Sequence, residues 1–426
     1  MRVALVVHKF PPASLGGTEI YTHNLARELS RQGHDVFVFY RHDEAGVRES
    51  DTTWEEREGF RVCRVSRPLD IASAPAFTQF LDTFFNRGIE RAFQRFLDKV
   101  EPDIIHFQHV MSLSYRLIGL AKQRDLPSLL TLHDYWFICA NSQLIWPDGQ
   151  VCRGKALGLN CARCVLTARV NSPLLQLLRP AIAPLLGIRD ALVRRTALAA
   201  DLLIAPSHFL IQQYNEAGFP ADRFVYLENG IDVERIRRYR HQPSPDGKLR
   251  FTYLGSLAWQ KGVHVLVKAF QGIPAEEAVL KIYGDPTVFP DYAAHLQEIA
   301  DPTSTRFEGL VPNEEVGRVL AETDVVVVPS LWYENSPVVI EEAFAAGVPV
   351  VASKIGALTE KVRNGISGLL CNTGDVTDWR NTLFRLARDR KAVNEASSTT
   401  PRATDIRNHT TRLARIYAEY SGTSTS

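Results

Sequence analysis

The 426-residue chain lacks any uninterrupted apolar run long enough to cross a bilayer: its longest apolar region, Leu174 to Leu192, is broken by Arg179, Pro180, Pro184, Arg189 and Asp190. A spanning helix needs about 20 mostly apolar residues, so none is expected. The opening MRVALVVHKF holds only five apolar residues between Arg2 and His8, too few for the core of a secretory leader, and a cytoplasmic protein is the expectation. Charge of one sign is also missing. With 49 basic and 48 acidic residues the net charge is +1, which argues against a general nucleic-acid binder. Cysteine is sparse, and the six present are not expected to pair in a reducing compartment. No G-x-G-x-x-G follows the first strand, so the fingerprint of a dinucleotide-dependent oxidoreductase is absent.

What is there suits a soluble globular chain of two or three domains. The most informative stretch is Val325 to Val351. Four consecutive valines, Val325 to Val328, lie between Asp324 and Pro329; too short for a helix, they read as a strand buried on both faces, hence as part of a parallel sheet. Pro337 stands where a helix can begin, Val338 to Ala346 has helical composition, and Gly347-Val348-Pro349 ends it before the strand Val350 to Ala352. The loop between holds Ser330, Glu334, Asn335 and Ser336, at a strand's carboxyl end and a helix N-terminus, where ligands of α/β sheets and anions collect.

The first half repeats this logic. Val3 to Val7 reads as a strand, Gly16-Gly17 opens a helix from Thr18 to Gln32, and His34 to Tyr40 is the next strand. Paired glycines let a backbone approach a phosphate or sugar closely. Phe77 to Val100 has helical periodicity with an apolar stripe expected in the core. Strands are expected at Arg61 to Arg67, at Asp103 to Phe107, ending near Gln108 and His109, and at Leu126 to Leu132, which delivers His133-Asp134. A polar linker, Tyr239 to Lys248, separates the halves, and a strand from Phe251 to Leu254 leads into Gly255 to Gly262.

Glu334 and Glu342, with seven residues between them, within Pro-Ser-x-x-x-Glu and Glu-Ala-x-Ala-x-Gly-x-Pro-Val-Val, join Gly-Gly-Thr-Glu at Gly16 and Asn-Gly-Ile-Asp at Asn229. This set resembles the retaining GT-B glycosyltransferases of the glycogen-synthase-like family four, over Gly16 to Asp378. The resemblance implies an α/β fold of two doubly wound Rossmann-like domains facing across a cleft: an acceptor-side domain at 1–240, a nucleotide-sugar domain at 248–403, and a terminal helix, 404–426, crossing back to the first. It implies transfer of a sugar from a nucleotide-diphosphate sugar to a hydroxyl acceptor, a glycan, lipid-linked glycan or small molecule, with retention at the anomeric carbon. His133, Lys261 and Glu334 become the expected catalytic residues. Gly16, Gly17, Gly284, Asn335, Ser336 and Glu342 become the expected donor contacts, Glu342 at the ribose diol. Family members carry an arginine where this chain has Ser256, so one of two cations facing the diphosphate is missing locally. No Asp-x-Asp occurs, and no catalytic metal is expected; Lys261 and helix N-termini would balance the diphosphate. A nucleotide-sugar epimerase or phosphorylase, or a non-catalytic nucleotide-sugar binder, stays open, because fold does not decide among them.

Two stretches stand outside that pattern. Cys139, Cys152, Cys161 and Cys164 fall in one loop-rich insertion, either as a structural zinc site of four thiolates or as free thiols. Between Arg153 and Arg195 eight basic residues face one acid, Asp190. The segment Asn171 to Leu198 is either an amphipathic surface resting on anionic lipid at the inner face of the membrane or an ordinary helical pair.

Overall fold

The computed structural model describes residues 1–14, 16–68, 76–169 and 174–422. Leu15 in the first glycine loop, the Phe77 side chain of the expected stripe, and Asn171 lie outside the described residues. Contacts divide the chain into two compact units. One takes Met1–Pro147, Cys152–Gly230 and the C-terminal segment from Ile406; the other takes Asp148–Val151 and Ile231–Asp405. Residues 231–240, expected in the first domain, therefore group with the second. The reason is apolar: Ile231, Val233 and Ile236 are buried in one core with Leu320, Val326 and Ile340.

The first unit is built on an eight-stranded sheet. In spatial order its strands are Thr52–Arg57, Phe60–Pro68, Asp35–Glu44, Arg2–Val7, Ile104–Phe107, Ser128–Thr131, Leu202–Ala205 and Phe224–Tyr226. All pairs are parallel except the edge hairpin of Thr52–Arg57 with Phe60–Pro68. The helix Gly17–Arg31 buries Tyr21, Leu25 and Leu29 against Val3, Leu5 and Val7, and the helix Ile406–Ser421 adds Leu413 and Tyr417 to the same core. The expected single helix from Phe77 is two, Ala76–Asp82 and Arg87–Val100. Asn86 separates them: its side chain accepts from Ile89 N–H at 2.9 Å and caps the second helix, a bond that competes with helical continuation.

The second unit has a six-stranded, wholly parallel sheet. Its spatial order is Thr305–Gly309, Ala278–Tyr283, Leu249–Leu254, Val325–Val328, Val350–Ser353 and Gly368–Cys371. The four valines now have a reason. Val325 and Val327 enter one core with Phe251, Leu266 and Leu280, while Val326 and Val328 enter another with Ile340 and Phe344. Alternate side chains of a strand covered on both faces must all be apolar.

Candidate active site

Strand order fixes the site of the second unit. The chain fills one side of the sheet outward from Leu249–Leu254 and then returns to place Val325–Val328 beside it. The loops leaving the carboxyl ends of these neighbours meet at a topological switch point, where ligands of such sheets bind. Leu331 N–H donates to Gln260 C=O at 2.8 Å, tying the loops together. Gly262 permits the approach. Its φ is +70°, and a Cβ there would overlap the Pro329 carbonyl oxygen, so any other residue would meet both strain and a clash.

Lys261 and Glu334, 73 residues apart, are thereby in contact. Lys261 Nζ donates to Glu334 Oε1 at 2.7 Å, joined on the same oxygen by Ser330 Oγ at 2.7 Å and Trp332 Nε1 at 3.0 Å. The ammonium also stands 5.3 Å from the centroid of the Trp332 ring. Burial works against the charge of Glu334, but the lysine and the donors outweigh it and hold the carboxyl below its ordinary value. Beyond it, Asn335 is buried, and Ser336 Oγ is buried with no hydrogen-bond partner among the described residues. The helix Val338–Ala345 begins at Pro337 with no side-chain cap, leaving its first N–H groups open to an anion.

Glu342, inside that helix, has a partner that the sequence did not announce. Arg235 Nη2 donates to Glu342 Oε1 and Arg235 Nη1 to Asn313 C=O. Arg235 is placed by the short helix Val233–Arg237, whose first turn Asp232 caps by accepting from Arg235 N–H at 3.0 Å. Burial pushes the Glu342 carboxyl up, and the guanidinium opposes this only in part. Gly284 ends the strand Ala278–Tyr283, and a Cβ there would overlap the Gly255 carbonyl oxygen; glycine is required for close approach of two backbones. Ser256 is exposed and brings no charge.

In the first unit, the carboxyl ends of Arg2–Val7, Ile104–Phe107 and Ser128–Thr131 gather His8, Gln108, His109, His133 and Asp134. His109 Nε2 lies 2.9 Å from Asp134 Oδ2, and His133 Nε2 lies 2.9 Å from Gln108 Oε1. The rings of His8 and His109 are 4.5 Å apart, and Tyr21 packs 5.2 Å from His133. Burial, helped by His109, lowers His133 to about 3, so it is neutral at physiological pH. For His109 burial acts in the same direction, yet the Asp134 carboxylate outweighs it and raises the value. Gly16 is the N-cap of the helix Gly17–Arg31 with φ −69°, so no unusual backbone conformation demands glycine there. Glu19 of the first turn is buried, bonded by Ser14 Oγ at 2.9 Å and 3.6 Å from His8 Nε2. Among the sequence-expected residues, then, Lys261, Glu334, Asn335 and Ser336 gather at one strand-end cluster, and His133 at another in its own unit. His8, Trp332 and Arg235 carried no local signal.

No three His, Cys, Asp or Glu side chains among the described residues stand ready to hold a metal ion. A cavity of about 410 Å³ lined by Val325, Pro349, Gly368 and Val393 lies at the amino ends of the strands, away from these clusters.

The model for Glycosyltransferase Family 4 matches residues 15–235, and that for Glycosyl transferases group 1 matches residues 248–389. The chain is similar to glycogen synthase of Mycobacterium tuberculosis, 27% identical over 385 residues, covering 88% of this chain and 83% of that one. It is also similar to the sulfoquinovosyl transferase of Arabidopsis thaliana, 24% identical over 437 residues, covering 97% and 72%. Among solved structures, sucrose-phosphate synthase from Thermosynechococcus elongatus superposes with a TM-score of 0.71 at 20% identity, covering 99% of this chain and 100% of that one. Anabaena HepE in complex with UDP and glucose gives 0.65 at 17%, covering 98% and 100%. These likenesses establish the GT-B fold of two Rossmann-like domains.

Proposed function

This chain belongs to glycosyltransferase family 4, and from that premise we propose that it transfers a sugar from a nucleotide-diphosphate sugar to a hydroxyl acceptor with retention at the anomeric carbon, without a catalytic metal. The observation that carries the reading is the Lys261–Glu334 contact, with Ser330 and Trp332 on the same oxygen. Lys261 balances the departing diphosphate. Glu334, kept ionised, accepts from sugar hydroxyls. The partnerless Ser336 hydroxyl and the uncapped N–H groups that begin at Val338 suit a phosphate. Glu342 accepts from the ribose diol, Asn335 offers its amide, and the backbone at Gly284 lines the donor. His133, neutral, bonds a sugar hydroxyl. UDP donors are the first to test, since HepE is described with UDP, glucose and UDP-glucose.

The test is a panel of nucleotide sugars read first by thermal shift. A true donor raises the melting temperature by mass action, and incubation with hydroxyl acceptors then yields a glycoside whose anomeric configuration NMR reads. An inverted product would remove retention. A new nucleotide sugar formed without acceptor would mark an epimerase, and donor binding with no turnover, even to water, a binding protein. Full activity without added divalent cation, undiminished by brief exposure to EDTA, is expected.

Contact with a membrane surface belongs to the same reading. Leu174, Leu177, Leu178, Leu185, Ile188 and Leu192 are exposed along the helical segment ending at Ala197, an apolar stripe in the basic stretch. The expected arginine face is thinner than the sequence implied. Arg189 is buried, its guanidinium donating to Trp136 C=O at 2.9 Å and to Asp190 Oδ1 at 2.9 Å, while Arg194 donates to Gly218 C=O. No helix of the described residues is long and apolar enough to cross a membrane. Binding to anionic vesicles is expected to depend mainly on apolar burial, roughly 2 kcal/mol for each large side chain. Leu185→Glu with Ile188→Glu should abolish co-sedimentation; an unchanged bound fraction would remove the lipid surface.

A further inference from the structure

From the loop that follows His133, we infer a structural zinc site made by Cys139, Cys152, Cys161 and Cys164. All four side chains line one cavity of about 20 Å³, with Ile145, Trp146 and Val165 among its apolar walls. That volume admits one small ion or one water. The walls give a water few partners. As they stand, no three of the four sulfurs are grouped to hold an ion; drawn together by side-chain rotation they would give a soft divalent cation an all-sulfur set, which selects zinc or iron–sulfur chemistry.

Burial favours the thiol form of Cys139, Cys161 and Cys164, and Cys164 Sγ donates to Ile145 C=O at 3.8 Å; the polypeptide nevertheless also brings hydrogen-bond donors to the sulfurs. Backbone N–H groups of Leu144, Asn141 and Gln143 point at the Cys139 sulfur. Gly154 N–H donates to Cys152 Sγ at 3.4 Å, and Asn141 Nδ2 donates to Cys164 Sγ at 2.7 Å. Bonds from backbone N–H to sulfur two to five residues earlier stabilise the negative form that a metal requires. Cys161 and Cys164 lie on one helix, Leu159–Arg169, three residues apart and so on one face. The turn that brings Cys139 toward them is strained. Ser142 and Leu144 have φ of 63° and 49°, left-handed conformations that non-glycine residues adopt only at a cost. An ion that draws in the four sulfurs by side-chain rotation would offset that cost.

The loop's place in the fold gives the ion a purpose. Asp134 Oδ1 accepts from Trp136 N–H at 2.8 Å, and Tyr135 C=O accepts from Cys139 N–H at 2.7 Å. The segment between the histidine cluster and the first cysteine is thus one short bonded run, and a clamp on Cys139 would hold His133 and Asp134 in position. Zinc here would be closed to substrate, with all four positions filled by protein.

The test uses the full chain purified without chelator from zinc-supplemented cells, with a readout independent of transfer activity. Elemental analysis is expected to find about one zinc per chain. Titration with a mercurial should release it as four thiols react, which needs no variant. Chain refolded with Co2+ alone should show thiolate-to-cobalt charge-transfer absorption and tetrahedral d–d bands. Cys161→Ser should shift that spectrum or lower the zinc content. Absence of stoichiometric metal, a disulfide among the four cysteines in an intact-mass measurement, or a cobalt spectrum without thiolate charge transfer would each overturn the site.

Discussion

Lys261→Ala is expected to lower kcat at saturating donor about a hundred-fold or more, with a smaller change in donor KM. The charge of Lys261 grows in value as the diphosphate leaves, so its loss falls on the transition state. The nearby loop offers no substitute at Ser256. A second effect follows from the contact itself. In the wild type the lysine helps hold the Glu334 carboxyl below its ordinary value against burial. A carboxyl lowered in this way contributes stability that is present above its unfolded value and lost as pH falls through the folded one. Without the lysine, burial dominates and the sign reverses. The acidic limb of the kcat/KM profile should therefore move to higher pH in Lys261→Ala. A variant with wild-type kcat and an unmoved limb would show that Lys261 serves neither purpose. Glu342→Ala makes the contrast: it removes binding to a part of the donor that does not react, so about a ten- to hundred-fold rise in donor KM is expected while kcat holds.

Arg235→Ala should be the most destabilising single change near the site, by about 3–5 kcal/mol. It strands the buried Glu342 carboxylate and leaves Asn313 C=O without that donor. Glu342→Gln in the same chain should recover much of the loss, because a neutral amide needs no countercharge. The pH dependence has a fixed sign. Burial already raises the folded value of Glu342, and removing the guanidinium raises it further. A carboxyl raised on folding contributes stability at low pH that is lost as pH rises through its folded value. The melting deficit of Arg235→Ala should thus be smaller at pH 5 than at pH 8. An equal deficit at both, with no rescue by Glu342→Gln, would remove the ion pair as the cause.

The parts legible in the sequence were those governed by short-range rules. Val325 to Val328 could be read as a doubly covered strand because four adjacent residues were all apolar, and Pro337 and Gly347 bracket the helix that follows. Lys261 and Glu334 were visible through motif spacing. Their contact was not, since it depends on strand order, which puts two loops 73 residues apart on neighbouring strands. Arg235 was invisible for the same reason: its partner is 107 residues away, and an arginine in a five-residue helix has no local mark. The break at Asn86 was missed because the apolar stripe continues in phase on both sides, and a single capping side chain decided the issue. Arg189 misled in the opposite direction. It sits among exposed leucines in sequence, yet its guanidinium stands 5.0 Å from the centroid of the Trp136 ring, in the interior.

The C-terminal helix has a consequence for biosynthesis. Tyr417 OH bonds His106 Nδ1 at 2.6 Å, and His409 Nε2 bonds Tyr21 OH at 2.6 Å, so residues translated later complete a core begun by residues translated much earlier. The second unit's sheet and both its cores come from the continuous stretch Ile231–Asp405. On the ribosome that unit can close while the first still lacks Leu413 and Tyr417. Until the helix Ile406–Ser421 emerges, the earlier-made sheet must wait with part of its apolar face uncovered, and it is there that a chaperone would find a binding surface.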